Sequence, residues 1–170
     1  IEAQEAHKKK LDDFKNKNGN TDYVIAAAGN REGKIYFNNE SLFGGLASET
    51  PFDKNCIEVP VVTIDNEIKK RNLKPPFLIK LDTHGFEVPI LEGAKDVVKQ
   101  AELIIIETYN FQINKDSLKH YQMCKYMENI GFSSIEMVDF ITRPFDKSFW
   151  QMDTFFIPSN SKEFNYRGYQ

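Results

Sequence analysis

The chain has 170 residues, with 22 Lys and Arg against 25 Asp and Glu, a formal net charge of -3 and a sequence pI near 5.7. That length suits one domain able to bury about 70% of the surface its unfolded form exposes, and the acidic balance excludes an extended nucleic-acid footprint, which needs a clustered excess of cations. No apolar run approaches the about 18 residues of a membrane span, so the chain reads as soluble with no membrane partner.

Two cysteines, Cys56 and Cys124, are too few for a disulfide framework and have no metal-ligand spacing. Cys124 reads as core and Cys56 as an incidental thiol in a polar loop, with no base beside it. Ile1 rather than Met opens the chain, so the sequence is expected to be a piece of a longer protein. The lack of a targeting signal then says little, and a cytoplasmic location is only the default expectation.

In chain order, Ala6, Leu11 and Phe14 among many charges predict a short amphipathic helix over 5–16, ending near Asn18-Gly19. The basic triplets Lys8-Lys9-Lys10 and Lys69-Lys70-Arg71 read as solvated helix faces. Residues 23–28 form a strand closed by Gly29, and Lys34-Ile35-Tyr36-Phe37 is extended. Residues 38–58 lack periodicity, and their Phe43-Gly44-Gly45-Leu46 tip reads equally as a substrate lid or as an unstructured loop. Residues 59–64 are extended, with Pro60 favouring an edge position, and Asp65 stands where it would cap a short helix through Arg71.

Pro75-Pro76 stops that segment, and Phe77-Leu78-Ile79-Lys80-Leu81 reads as a central strand covered on both faces. A helix is expected over 87–100, with Pro89 tolerated in its first turn and Gly93 marking a kink. Leu103-Ile104-Ile105-Ile106-Glu107 is a further buried strand. Leu118, Tyr121, Cys124 and Met127 predict a helix over 117–130, with Gly131 as its C-cap. Residues 135–140 and 150–157 close the chain as an antiparallel pair. This order of elements implies an α/β fold with a mostly parallel sheet and a reversed edge.

The site candidates follow from that topology, because ligands of open α/β sheets bind beyond the carboxyl ends of the strands. Asp82 closes the central strand and Glu107 its expected neighbour, so both should face one crevice. Asp82 reads either as a site residue or as a helix cap. His84 is the one imidazole in the turn able to act as a base near neutral pH, and Gly85 permits the turn into the next helix. Glu87 suits a structural role against the helix dipole, while His7 and His120 read as surface. Tyr109, Asn110 and Phe111 read as surface packing or as the lining of an acceptor pocket. Asp82, His84 and Glu107 together could bind a divalent metal, but no His-x-x-x-His or Cys pair supports this, and no metal is expected.

Leu81-Asp82-Thr83-His84-Gly85-Phe86-Glu87, followed by Ile90-Leu91-Glu92-Gly93-Ala94, resembles the FkbM-type S-adenosylmethionine-dependent methyltransferases, whose motif runs Ile-Asp-Val-Glu/Gln-Gly-x-Glu and then Leu and Gly-Ala. Val62-Thr63-Ile64-Asp65, the strand ending at Glu107 and Gln151-Met152-Asp153-Thr154-Phe155-Phe156 extend the resemblance along the chain. Thr83-His84 departs from it, standing where the family usually carries Val-Glu or Val-Gln.

The resemblance implies a Rossmann-like class I methyltransferase sheet in the order 3-2-1-4-5-7-6, with residues 1–170 as a single domain lacking the first strand and its Gly-x-Gly loop. It implies S-adenosylmethionine as cofactor, with Glu2 where such enzymes place the acid that accepts hydrogen bonds from the ribose. It also implies methylation of an oxygen on a small molecule or sugar, with Asp82, His84 and Glu107 as catalytic candidates. The rival readings are a noncatalytic or degenerate binding domain and a doubly wound domain that uses another nucleotide.

Overall fold

Alternation of buried and exposed residues decides where the strands lie. The computed structural model describes residues 1–41 and 44–170, which divide into two compact units, Ile1–Leu73 with Val88–Lys95, and Lys74–Glu87 with Asp96–Gln170. Among the described residues, no helix is long and apolar enough to cross a membrane.

In the first unit, helix α1 (Lys8–Lys17) is followed by β1 (Ala27–Ala28), β2 (Gly33–Asn38), β3 (Leu46–Ser48) and β4 (Cys56–Val62), which form a sheet in the order β1-β4-β2-β3. Ile35 and Phe37 are buried on one face of β2, and Val59 and Val61 on one face of β4, the period-two pattern of a half-covered sheet. Pro60 was expected on an edge strand, yet β4 lies between β1 and β2. Pairing with β1 starts only at Val61, and Pro60 stands opposite Lys34 of β2. Cys56 is the first residue of β4 rather than part of a loop. Of the Phe43 to Leu46 tip, Phe43 lies outside the described residues, and Leu46 opens β3 opposite Asn38.

Helix α2 (Ile64–Arg71) is capped by Thr63, not Asp65. Thr63 has extended backbone angles and its hydroxyl accepts the Asn66 N–H at 3.2 Å, a contribution of about 1 kcal/mol. Asp65 lies one step inside, where its charge complements the helix dipole. The expected helix over 87–100 is two helices, α3 (Glu87–Glu92) and α4 (Lys95–Val98). Gly93 breaks it: a Cβ there would overlap the carbonyl of Gly29, and the Gly93 carbonyl accepts the Asp65 N–H at 3.1 Å.

In the second unit, β5 (Phe77–Leu81), β6 (Ala101–Tyr109), β7 (Phe132–Thr142) and β8 (Phe149–Pro158) form a sheet in the order β5-β6-β8-β7. Ile104, Ile106 and Phe156 are fully buried there. Helix α5 (His120–Asn129) buries Met123 and Met127, one turn apart. It starts later than its periodicity predicts because the Ser117 hydroxyl is already committed to the N–H groups of Ile113 and Asn114.

Two expectations are corrected. β5 is a terminal strand of its sheet, with Leu78 62% exposed and only Ile79 and Leu81 buried, so one face is covered rather than two. The sheets are not mostly parallel: among the named strands, β1 with β4 and β5 with β6 run parallel and the other pairings are antiparallel. The chain returns from β2 to β3 and from β7 to β8 without a crossover helix, and such returns pair antiparallel; the reversal at β7 also sets β8 antiparallel to β6.

Gly93→Ala should destabilise the protein by about 1–3 kcal/mol, the usual cost of forcing an atom into filled space. Urea unfolding would register it as a lower midpoint at unchanged slope.

Candidate functional site

Register brings the acidic residues together. Leu81 of β5 pairs with Ile106 of β6, so Asp82 leaves its strand beside Glu107, and Glu107 pairs across β6 with Asp153 of β8. The chain then turns sharply through His84 and Gly85, with φ of +52° and +97°. A left-handed non-glycine residue is uncommon and needs support from its surroundings.

That support comes from Glu87 and Asn114. The Glu87 carboxylate, 3% exposed, accepts the Gly85 N–H at 2.8 Å and the Thr83 hydroxyl at 3.2 Å, gripping the turn on both sides of His84. Asn114 donates its amide to the His84 carbonyl at 3.1 Å. A Cβ on Gly85 would overlap that same amide and come within 2.7 Å of the Ser117 side chain, so both space and backbone sign require glycine here. Glu87 stands in the first turn of α3, where an acid of structural role against the helix dipole was expected, and its carboxylate also turns back onto the preceding loop. Burial pushes its carboxyl above the ordinary glutamate range, and the hydrogen bonds from Gly85 and Thr83 oppose that rise. Asp82 is not a cap, because the helix that follows begins only at Glu87.

Glu107 is the more buried of the two strand-end acids. Its carboxylate accepts hydrogen bonds from the Tyr109 hydroxyl and the Gln151 side-chain amide, and its Oε2 lies 3.7 Å from His84 Nε2. Burial, and then the carboxylates of Asp82 and Asp153, raise its carboxyl, while the Tyr109 bond and the imidazole of His84 lower it. Burial and the Glu107 charge push the Tyr109 phenol strongly upward, which keeps it a neutral donor. Lys80 reaches across the rim, 2.7 Å from Asp153 and 3.9 Å from Asp82.

Side-chain exposure falls from 56% at Asp82 through 29% at His84 to 12% at Glu107. The donor atoms of these residues all lie within 4.8 Å of one another. Such a graded set can orient a hydroxyl at its outer end and take its proton.

The three catalytic candidates therefore meet in the second unit. Glu2 belongs to the first, where it pairs in parallel with Ile25 and its Oε1 accepts the Gln4 N–H at 2.7 Å. Sequence reading missed Lys80, Gln151 and Asp153. A weak signal existed for the last two, polar residues at alternate positions of an apolar strand, but their partner across the sheet depends on register. Tyr109, open between packing and pocket, is 4% exposed with its hydroxyl on Glu107, and Phe111 stacks on Trp150 with ring centroids 5.6 Å apart.

His120 is half-buried rather than on the surface. Its Nδ1 lies 3.1 Å from the Thr108 hydroxyl and its Nε2 3.7 Å from Cys124 Sγ. Burial lowers its pKa and raises that of the Cys124 thiol, so neither group is poised as a charged reactant near neutral pH.

The acids thus stand at the rim of a strand-turn-helix element. The model of the methyltransferase FkbM domain matches residues 1–134, and the chain belongs to that family. No curated protein and no solved structure matches it. The matched span contains Asp82, His84, Glu87 and Glu107, whereas Gln151 and Asp153, and with them the resemblance in the last strand, lie beyond it.

Glu87 and Glu107 hold their protons more tightly folded than unfolded, so their contribution to stability is fullest at acid pH and is lost as pH rises through their raised values. Urea unfolding of the wild type should therefore lose stability, relative to Glu87→Gln, as pH rises above the ordinary glutamate value of about 4.3; glutamine keeps an acceptor oxygen but cannot ionise. Parallel pH profiles for the two proteins would contradict this.

Proposed function

We propose that this FkbM-family chain transfers a methyl group from S-adenosylmethionine to an oxygen of a small molecule or saccharide. The observation that carries the reading is the meeting of Asp82, His84 and Glu107 past the carboxyl ends of two parallel strands, in a chain whose family is that of methyltransferases. The strand order β5-β6-β8-β7, with β8 antiparallel to both of its neighbours, follows the last four positions of 3-2-1-4-5-7-6 and supports a Rossmann-like class I sheet.

Glu2 suits the cofactor ribose. Gln4 occupies one of its carboxylate oxygens, and the other has no partner among the described residues and can accept from a ribose hydroxyl. When bound, S-adenosylmethionine supplies an electrophilic methyl group on a sulfonium sulfur. The residues of the chain do the rest. Asp82, the most exposed of the three, receives the acceptor hydroxyl and holds it in line, and the proton leaves to the Asp82–His84 edge as the new carbon–oxygen bond forms. Glu107, 3.7 Å from its Nε2, keeps the imidazole turned inward.

The test is S-adenosylhomocysteine release by the full-length protein against a panel of sugars and hydroxylated small molecules. Asp82→Asn should lower the rate by about 10²–10⁴ without loss of fold. His84→Gln should cost less, since glutamine restores a residue type the family carries. Wild-type rates in Asp82→Asn would refute the role of Asp82, and loss confined to His84→Gln would make the imidazole the principal base.

A further inference from the structure

Asp82, His84 and Glu107 have no ligand spacing in the sequence, yet the turn after β5 and the end of β6 bring their donor atoms within 4.8 Å of one another, a grouping unique among the described residues. We infer that this trio is a divalent-cation site of the Mn²⁺, Fe²⁺ or Zn²⁺ class, and that the ion binds the acceptor oxygen. The purpose of the ion rests on the methyltransferase reading; its binding does not.

The donor set is mixed, two carboxylates and one imidazole, which suits borderline transition metals better than the all-oxygen sites of Mg²⁺ or Ca²⁺. Neighbouring donors on an octahedral ion with bonds of about 2.1 Å stand about 3 Å apart. His84 Nε2 and Glu107 Oε2 are 3.7 Å apart and all three donors lie within 4.8 Å of one another, so the side chains close on the ion by about 1–2 Å. The αL turn aims that nitrogen at Glu107 rather than at solvent, and imidazole binds metal in its neutral form.

Charge points the same way. Asp82, Glu107 and Asp153 converge, and the one lysine at the rim, Lys80, is drawn to Asp153 at 2.7 Å and stands 3.9 Å from Asp82. Glu107 is held by Tyr109 and Gln151, both neutral donors. They fix the direction of the carboxylate without discharging it, as outer partners of metal ligands do.

Three protein ligands leave coordination positions for water and for the acceptor. With the ion bound, Asp82 and His84 serve as ligands in place of proton acceptors, so an acceptor hydroxyl on the ion would lose its proton to solvent water, and the resulting oxygen nucleophile would form the O–C bond as the S–C bond breaks.

The test is titration of the full-length protein with MnCl₂ alone, following free Mn²⁺ and nitrogen coupling to bound Mn²⁺ by electron paramagnetic resonance. We expect one ion per chain with a directly coordinated nitrogen. Asp82→Asn and Glu107→Gln should weaken binding at least about tenfold. His84→Gln should abolish the nitrogen coupling, while His7→Gln and His120→Gln leave it in place. No uptake at ~1 mM Mn²⁺ would overturn the inference, as would uptake with unchanged affinity and coupling in His84→Gln, a substitution at a half-buried residue that leaves Glu107 and its partners in place even if Glu107→Gln does not fold. Uptake as expected without methyl transfer would leave the ion site standing and count against the enzyme reading.

Discussion

The buried carboxylate of Glu87 is the contact on which the site depends. It accepts from Gly85 and Thr83 and so spans His84, a residue whose backbone sits in the left-handed region. Such a conformation at a non-glycine residue costs about 1–2 kcal/mol, and burying an acid adds to the cost. Both are offset only if the hydrogen bonds of the turn are made, which is why Asn114, Ser117 and the missing side chain of Gly85 fit together so closely. Release of Glu87 would free the imidazole to leave Glu107 with no change in the sheet.

The second requirement is electrostatic. A carboxylate such as Glu107, 12% exposed beside two others, is costly to keep ionised. The protein answers with a phenol, an amide and an imidazole instead of a close ion pair, and assigns its nearby lysine to Asp153. A direct lysine bridge would have quenched Glu107. The arrangement chosen keeps the acid oriented and available to whatever enters from the side of Asp82.

What could be read from the sequence was local. The Leu81 to Glu87 turn announces itself through an apolar run, an acid and a glycine in succession, and the run ending at Glu107 identifies a neighbouring strand. Helix periodicity located α5, though not the commitment of Ser117 that delays its start. Facts requiring register or long-range packing were not legible. Asp153 and Gln151 reach Glu107 only because β8 pairs antiparallel with β6. Position 93 requires glycine because of a carbonyl at Gly29, distant in sequence. Pro60 suggested an edge by a local rule, and the shortness of β1 removed the conflict. Thr63 rather than Asp65 became the cap because the last extended residue before the helix, not the most acidic one nearby, has the backbone angles for capping.

On the proposed reading, the rim after β5 and β6 is where the acceptor meets the activated methyl group. A crystal structure of the full-length protein with S-adenosylhomocysteine tests this most directly. The account expects the sulfur of the ligand to open toward Asp82, His84 and Glu107, with room between for an acceptor oxygen. A ligand bound with its sulfur facing away from that turn, or enclosed with no path to Asp82, would contradict it.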